Sequence, residues 1–186
     1  MEVGVLGLQG DFSAHAQALA RVGGTARIVK KPDQLRGIDG LIIPGGESTT
    51  LIKLMDLYAF WDPLREFASS GKAVLGTCAG AIILATEVLN PSQKSLGAID
   101  ITVERNSYGR QRESFEATGT FAPGEGADLE MVFIRAPRIC RLGPQVESLA
   151  EYGGDCVMAR QERIAVASFH PELTDDATVH DYFIRM

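Results

Sequence analysis

Along the first half of the chain, short runs of Val, Ile and Leu alternate with longer stretches in which apolar residues recur every three to four positions. This is the pattern of βα units on a parallel sheet. Val3 to Leu8 reads as a first strand, and Phe12 to Val22 as a helix with Asp11 as its N-cap and Gly23-Gly24 as its stop. Arg27 to Val29 is a short second strand broken by Lys31-Pro32-Asp33, and Leu41 to Ile43 is a buried third strand that runs into Pro44-Gly45-Gly46. Ser48 or Thr49 is placed to cap a helix through Leu54. A further helix spans Asp62 to Ser69, with Pro63 where its missing N–H costs nothing and Gly71 as the end signal. Ala73 to Leu75 reads as a central strand, Gly76 to Gly80 as a sharp turn, and Ala81 to Thr86 as the helix that leaves it.

From residue 99 the texture changes to alternating segments: Ile99 to Arg105, Ser114 to Phe121, Val146 to Tyr152, Cys156 to Gln161 and Ile164 to Phe169. These are expected to extend the sheet as mixed or antiparallel strands. Ala122 to Ala127 is a Pro/Gly-rich loop, and a helix near Ala177 to Arg185 follows the last strand. No internal repeat, linker or second core is visible, so residues 1–186 are expected to form one α/β domain.

Composition narrows the function. With 45% hydrophobic and 23% charged residues, a chain of 186 residues buries a core without disulfide staples. A net charge of -6 and a pI near 5.1, with no basic stripe, argue against nucleic acid as a partner. Apolar runs such as Ala81 to Ala85 fall far short of the roughly 20 residues a membrane helix needs. No basic leader precedes Val3, so no secretory signal is expected and the cytoplasm is the default location. Cys78, Cys140 and Cys156 are an odd set at unequal spacing that fits neither a disulfide framework nor a zinc site. With three histidines and no paired Cys/His cluster, no metal and no other cofactor is expected.

The chemistry concentrates at Gly76-Thr77-Cys78-Ala79-Gly80, the thiol version of a GxSxG elbow. An isolated cysteine at a bend is more often a small buried apolar residue. Here the strand-turn-helix context reverses that preference. The helix that starts after Cys78 points its positive end at the sulfur and favours thiolate, and the Ala79 N–H faces the place where an oxyanion would form. Phe169-His170-Pro171-Glu172 closes the last strand-like run, where residues two apart face the same side, so that Glu172 is placed to orient the His170 ring. Alone, such a tripeptide is more often a turn with a surface acid. Beside the elbow it supplies the base and its orienter.

Pro44-Gly45-Gly46-Glu47-Ser48-Thr49 joins a buried strand to a helix, and its glycines permit close backbone approach. It could instead be a plain connector or a phosphate cradle, and the phosphate reading is the weak one because the lysine of a GxxxxGK[ST] loop is missing. His15, His180, Cys140 and Cys156 lack a partner acid or cluster at obvious spacing and are assigned structural places.

Taken together, the elbow, the glycine loop after the third strand and the late His-Pro-Glu resemble the class I triad glutamine amidotransferases. Six blocks sharpen the likeness: Leu6 to Gly10, Pro44 to Thr50, Gly76 to Gly80, Glu104 to Gln111, Phe133 to Pro137 and Ser168 to Thr174. They resemble the glutaminase subunits of pyridoxal 5'-phosphate synthases. The resemblance implies a three-layer, flavodoxin-like α/β/α sandwich, mostly parallel with an antiparallel extension, and a site at the carboxyl ends of the strands. It implies that Cys78 attacks the amide of L-glutamine, His170 shuttles protons and Glu172 orients it. Gly46, Glu47 and Ser48 would hold glutamine, completed by Arg105, Ile134 and Arg135. Ala79 with Gly45 or Gly46 would form the oxyanion hole, and Gln9 and Gly10 would help switch it on when the partner docks. That partner would be a (β/α)8-barrel synthase subunit, in an assembly of twelve synthase chains and twelve glutaminases.

Two alternatives stay open on sequence grounds. Amidotransferases serving purine, histidine or anthranilate synthesis share the elbow and the His-Pro-Glu; Gly46 to Thr50 and Arg105 to Gln111 favour the vitamin B6 branch. A non-catalytic module on the same fold would lack a triad member, and none is missing.

Overall fold

The computed structural model describes residues 1–105 and 114–186. The chain opens with β1 (Glu2–Leu6), α1 (Phe12–Arg21), β2 (Thr25–Val29), β3 (Gly40–Ile43), α2 (Ser48–Leu57), α3 (Trp61–Ala68), β4 (Ala73–Thr77) and α4 (Ala79–Leu84). Eight strands and a helix follow: β5 (Ala85–Leu89), β6 (Ile99–Glu104), β7 (Phe115–Phe121), β8 (Ala127–Phe133), β9 (Arg138–Leu142), β10 (Glu147–Tyr152), β11 (Asp155–Gln161), β12 (Ile164–Ala167) and α5 (Thr178–Arg185). Among the described residues no helix is long and apolar enough to cross a membrane.

The main sheet has the order β2-β1-β3-β4-β12-β11-β10-β7-β8. Its first five strands pair in parallel, and the remaining contacts are antiparallel. The two halves differ in sequence texture for a physical reason. β3, β4 and β12 are buried at every position because helices cover both faces, whereas β7 and β8 alternate between buried and exposed residues.

Neighbouring residues of one strand feed opposite layers. Val74 packs with Leu51, Met55, Leu64 and Phe67 of α2 and α3, while Leu75 packs with Leu19 of α1 and Val179 and Phe183 of α5. The result is the expected three-layer α/β/α sandwich. Each fully buried side chain of this size stabilises by roughly 1.5–3 kcal/mol.

Several expectations need correction. Glu47, not Ser48 or Thr49, caps α2: its two carboxylate oxygens accept from the amides of Thr49 at 3.0 Å and Thr50 at 2.7 Å. The helix then runs past Leu54 to Leu57. The helix after the elbow ends at Leu84 and gives way to β5, which the apolar run had masked. Ile99 to Arg105 does not extend the main sheet; β6 sits between β5 and β9 in a separate three-stranded sheet packed on the α2–α4 side through Val88, Ile101, Val103 and Ile139. β8 and β9 went unread. β8 alternates buried Leu129, Met131 and Phe133 with exposed Asp128 and Glu130, acidic residues of low strand propensity. The loop from Ala122 to Ala127 is the connection of the β7–β8 hairpin.

Where β4 turns into α4, the backbone approaches β3 too closely for any side chain. A Cβ added at Gly80 would lie 2.0 Å from the Ile43 carbonyl oxygen, and one at Gly76 would lie 2.6 Å from the Gly80 carbonyl carbon. Neither obstacle is a flexible side chain. Gly80→Ala is therefore expected to lower unfolding free energy by about 3 kcal/mol, the upper part of the range for overpacking. Urea denaturation checks this; a loss below about 1 kcal/mol would show that the elbow can relax.

Candidate active site

At the tip of that turn Cys78 adopts φ 47° and ψ -101°, a conformation rare for a residue with a side chain. Its amide is tied down by the Ala167 carbonyl at 2.8 Å, which fixes the turn to the end of β12. Just beyond, the His170 amide donates to the Val132 carbonyl at 2.8 Å, so β8 supports the histidine from the other side. Two strand ends and a hairpin thus bring together residues far apart in the chain.

His170 Nδ1 lies 2.7 Å from Glu172 Oε1. The pairing was expected, but the backbone that makes it is different. Glu172 lies in a 3-10 turn, Pro171–Leu173, and not on an extended segment. Pro171 favours that turn because its fixed φ suits the first helical position. Cys78, His170 and Glu172 are 5%, 8% and 5% exposed, so all three groups are largely shielded from water.

The electrostatics follow from this burial. Burial opposes charge on His170, yet hydrogen bonds to Cys78 and Glu172 outweigh it and raise its pKa to about 10. Burial likewise opposes charge on Glu172, but the hydrogen bond from His170 and the nearby His15 keep its pKa below the usual carboxylate range. The imidazolium is therefore held between a carboxylate and the sulfur.

In front of the sulfur is a cleft of about 270 Å³ lined by Gly46, Glu47, Ser48, Cys78, Ile82, Arg105, Ile134, Arg135, Pro137 and His170. Its volume falls just below the usual range for drug-sized ligands and suits a molecule the size of an amino acid. Every residue expected to contact substrate lines it. The part of the Glu104 to Gln111 block from Asn106 to Gln111 lies outside the described residues. Arg105 reaches Thr49 Oγ1 at 3.5 Å and Glu47 Oε1 at 3.9 Å. Burial opposes charge on Glu47, but hydrogen bonds from Thr50 and Thr49 lower its pKa to about 2, so it enters the site as a carboxylate committed to the helix cap.

The glycine loop is pinned from two sides. Thr77 Oγ1 accepts the Gly45 N–H at 3.0 Å, and Gln9 reaches across from the end of β1, its Oε1 accepting the Glu47 N–H at 3.1 Å. Gly10 crosses beneath, so close that a Cβ there would sit 1.9 Å from the Gly45 carbonyl oxygen. Of the three expected oxyanion donors, Gly45 is thus occupied by Thr77, while the N–H groups of Ala79 and Gly46 have no partner among the described residues. No group of three His, Cys, Asp or Glu side chains among the described residues is spaced to hold a metal ion.

Residues 5–186 match the SNO glutamine amidotransferase family. The chain belongs to that family. A pyridoxal 5'-phosphate synthase subunit PdxT of Geobacillus sp. (strain WCH70) is 53% identical over 186 residues, covering 100% of this chain and 96% of that protein. The PdxT of Koribacter versatilis (strain Ellin345) is also 53% identical, over 100% and 95% of the two chains. A solved structure described as a glutamine amidotransferase superposes with a TM-score of 0.92 at 49% identity, covering 98% of this chain and 97% of that one. PurLQS from Thermotoga maritima, 14% identical with a TM-score of 0.75 over 99% and 97% of the chains, shares the fold.

Sequence reasoning missed three side chains that lie behind Cys78, His170 and Glu172: His15, His180 and Thr77. His15 and His180 lie far apart in the chain, and no spacing rule links them. Only the position of Thr77, next to Cys78 in the elbow, offered a signal.

Two outcomes follow from these charges. The His170 ring, followed by NMR, is expected to keep its proton well above pH 7 and to titrate lower in Cys78→Ala, which removes a partner that stabilises the cation; an unchanged titration would separate the two side chains. Burial lowers the pKa of His180 to about 3. A folded value below the unfolded 6.5 gives stability that is present above pH 6.5 and lost as pH falls toward 3. Denaturation midpoints of the wild type should therefore decline between pH 6.5 and 5, and those of His180→Phe should decline less.

Proposed function

We propose that Cys78, His170 and Glu172 carry the glutaminase reaction, with Cys78 as nucleophile. The reaction hydrolyses L-glutamine to L-glutamate and ammonia, and the ammonia serves vitamin B6 synthesis. The observation that carries the site assignment is the convergence of the strained Cys78, the imidazolium of His170 and the buried carboxylate of Glu172 at one end of the cleft.

The sulfur attacks the side-chain amide carbon of glutamine, and the carbonyl oxygen becomes an oxyanion facing the N–H groups of Ala79 and Gly46. His170 gives its proton to the leaving nitrogen, ammonia departs, and a thioester remains on Cys78. Water, deprotonated by the now neutral His170, attacks the thioester carbon; glutamate leaves and the sulfur regains its starting state. Glu172 balances the imidazolium at both turns of the cycle. Gly46, Glu47 and Ser48 hold the substrate through backbone groups, because the Glu47 carboxylate is occupied at the helix cap. Arg105, with Ile134 and Arg135, closes the pocket, and its guanidinium suits the α-carboxylate of an amino acid.

Gln9 and Gly10 are placed to regulate this centre. They hold the Gly45-Gly46-Glu47 backbone, whose orientation decides whether Gly46 presents its N–H to the oxyanion. The partner proposed to act on them is the (β/α)8 synthase subunit, in an assembly of twelve and twelve chains. Chemistry supports direct delivery: ammonia freed into neutral water becomes mostly ammonium, which has no lone pair to attack with. A cytoplasmic location fits three cysteines that form no disulfide.

Ammonia and glutamate release from L-glutamine should be measured for this chain alone, with the synthase subunit, and for Cys78→Ala in the same complex. The expected result is release that rises strongly with the partner and is lost in Cys78→Ala. Equal release without the partner would point to a free-standing hydrolase, and release that persists in Cys78→Ala would overturn the assignment of the nucleophile.

A further inference from the structure

Behind Glu172 lie two histidines that the reaction above does not use. His15 on α1 and His180 on α5 are both 0% exposed, and Nδ1 of His15 is 2.9 Å from Nε2 of His180. The other ring nitrogen of His15, Nε2, faces two oxygens: Thr77 Oγ1 at 3.2 Å and Glu172 Oε2 at 3.3 Å. The ring is better aligned on Thr77, so that Oε2, unlike Oε1, has no well-aligned donor among the described residues. A buried carboxylate oxygen left without a donor is costly, and His15 is the group within reach that can supply one.

Counting protons favours one tautomer. Burial lowers the pKa of both histidines, so each ring carries one N–H. If that of His15 were on Nδ1, its bare Nε2 could accept from the Thr77 hydroxyl but would still face the Glu172 carboxylate lone pair against lone pair. His180 would then carry its N–H on Nδ1, an atom that is buried without a partner. If instead His15 carries the proton on Nε2, the proton lies between Glu172 and Thr77, His180 donates from Nε2 to Nδ1 of His15, and the unpaired atom is a bare nitrogen. The second arrangement leaves no buried N–H unpaired and turns a donor, in place of a lone pair, toward Glu172 Oε2 3.3 Å away.

We infer that His15 is a positioning residue for the glutaminase reaction: its Nε2–H holds Glu172 Oε2 while His170 holds Oε1, so the carboxylate is bracketed by two imidazoles. The inference rests on the glutaminase reading of Cys78 and His170. Its consequence appears when His170 gives up its proton and the carboxylate loses its charged partner. His15 then keeps Glu172 in place for the return of that proton, through an N–H that never leaves the protein. The same nitrogen lies against Thr77, whose Oγ1 anchors the Gly45 amide, so one buried ring touches both the triad and the base of the glycine loop.

The test has two arms on the full chain. In the unmodified protein, NMR correlation of the His15 ring nitrogens with their protons should show Nε2 protonated and Nδ1 bare; a proton on Nδ1 would overturn the inference. In the complex with the synthase subunit, His15→Leu removes the donor at similar volume, and His15→Gln returns an N–H near the Nε2 position. For the Leu variant kcat for glutamine should fall about 10- to 100-fold, as for other groups that orient a catalytic ligand, with KM little changed. Most of the loss should return in the Gln variant. A Leu variant within about twofold of wild type, or a Gln variant no better than Leu, would reduce His15 to packing. If the Leu variant does not fold, the tautomer and the Gln variant still decide. An inert wild-type complex would count against the glutaminase reading, and the tautomer would then decide the Glu172 contact by itself.

Discussion

The approach of the β4–α4 turn to the end of β3 is the constraint on which the site depends. Because Gly76 and Gly80 carry no Cβ, α4 starts directly against the Ile43 carbonyl, and the intervening residue is driven to a positive φ. Cys78 occupies that position at a cost in local strain that the surrounding sheet over-determines. In return its side chain stands clear of the strand at the start of a helix, next to the free N–H of Ala79. Loosening the turn would remove the orientation of the Cys78 side chain and the adjacent amide together.

Charge is then managed by pairing inside a nearly closed space. A buried imidazolium or carboxylate alone would be unstable, so each is held by the other and by neutral groups around them. The row runs from the Cys78 sulfur through His170 and Glu172 to His15 and His180, from the cleft to the far helix layer. Only the His170 end is expected to change protonation state in the reaction. The two inner histidines are neutral, which lets them lie close to Glu172 without competing with His170 for its charge.

The glycine loop has a different logic. Glu47 turns back to cap α2, Thr77 takes the Gly45 amide and Gln9 takes the Glu47 amide, so the loop on either side of Gly46 is held by fixed neighbours. A residue at φ 140° is open to glycine and to few others.

Much of this was legible in the sequence, for identifiable reasons. The parallel strands β1, β3, β4 and β12 are short apolar runs, the first three of them followed or interrupted by glycine or proline, and the elbow and the His-Pro-Glu are short, local patterns whose chemistry depends on neighbours in the chain. Other features were not legible because distance in the chain hides them. β5 continues an apolar helix, β8 carries acids on its outer face, and β6 pairs in a second sheet that no local pattern specifies. Glu47 was passed over as a cap because a longer side chain must fold back to reach two amides. Above all, His15, Thr77 and His180 come from three elements, and only the packing of α1 and α5 on one face of β4 brings them to Glu172. By itself, then, the sequence determined the strand-helix alternation, the elbow around Cys78 and the pairing of His170 with Glu172, because periodicity and tight turns act over a few residues. The tertiary structure alone decided which buried groups stand behind Glu172, because burial and hydrogen bonding are settled between segments that meet only when the layers close.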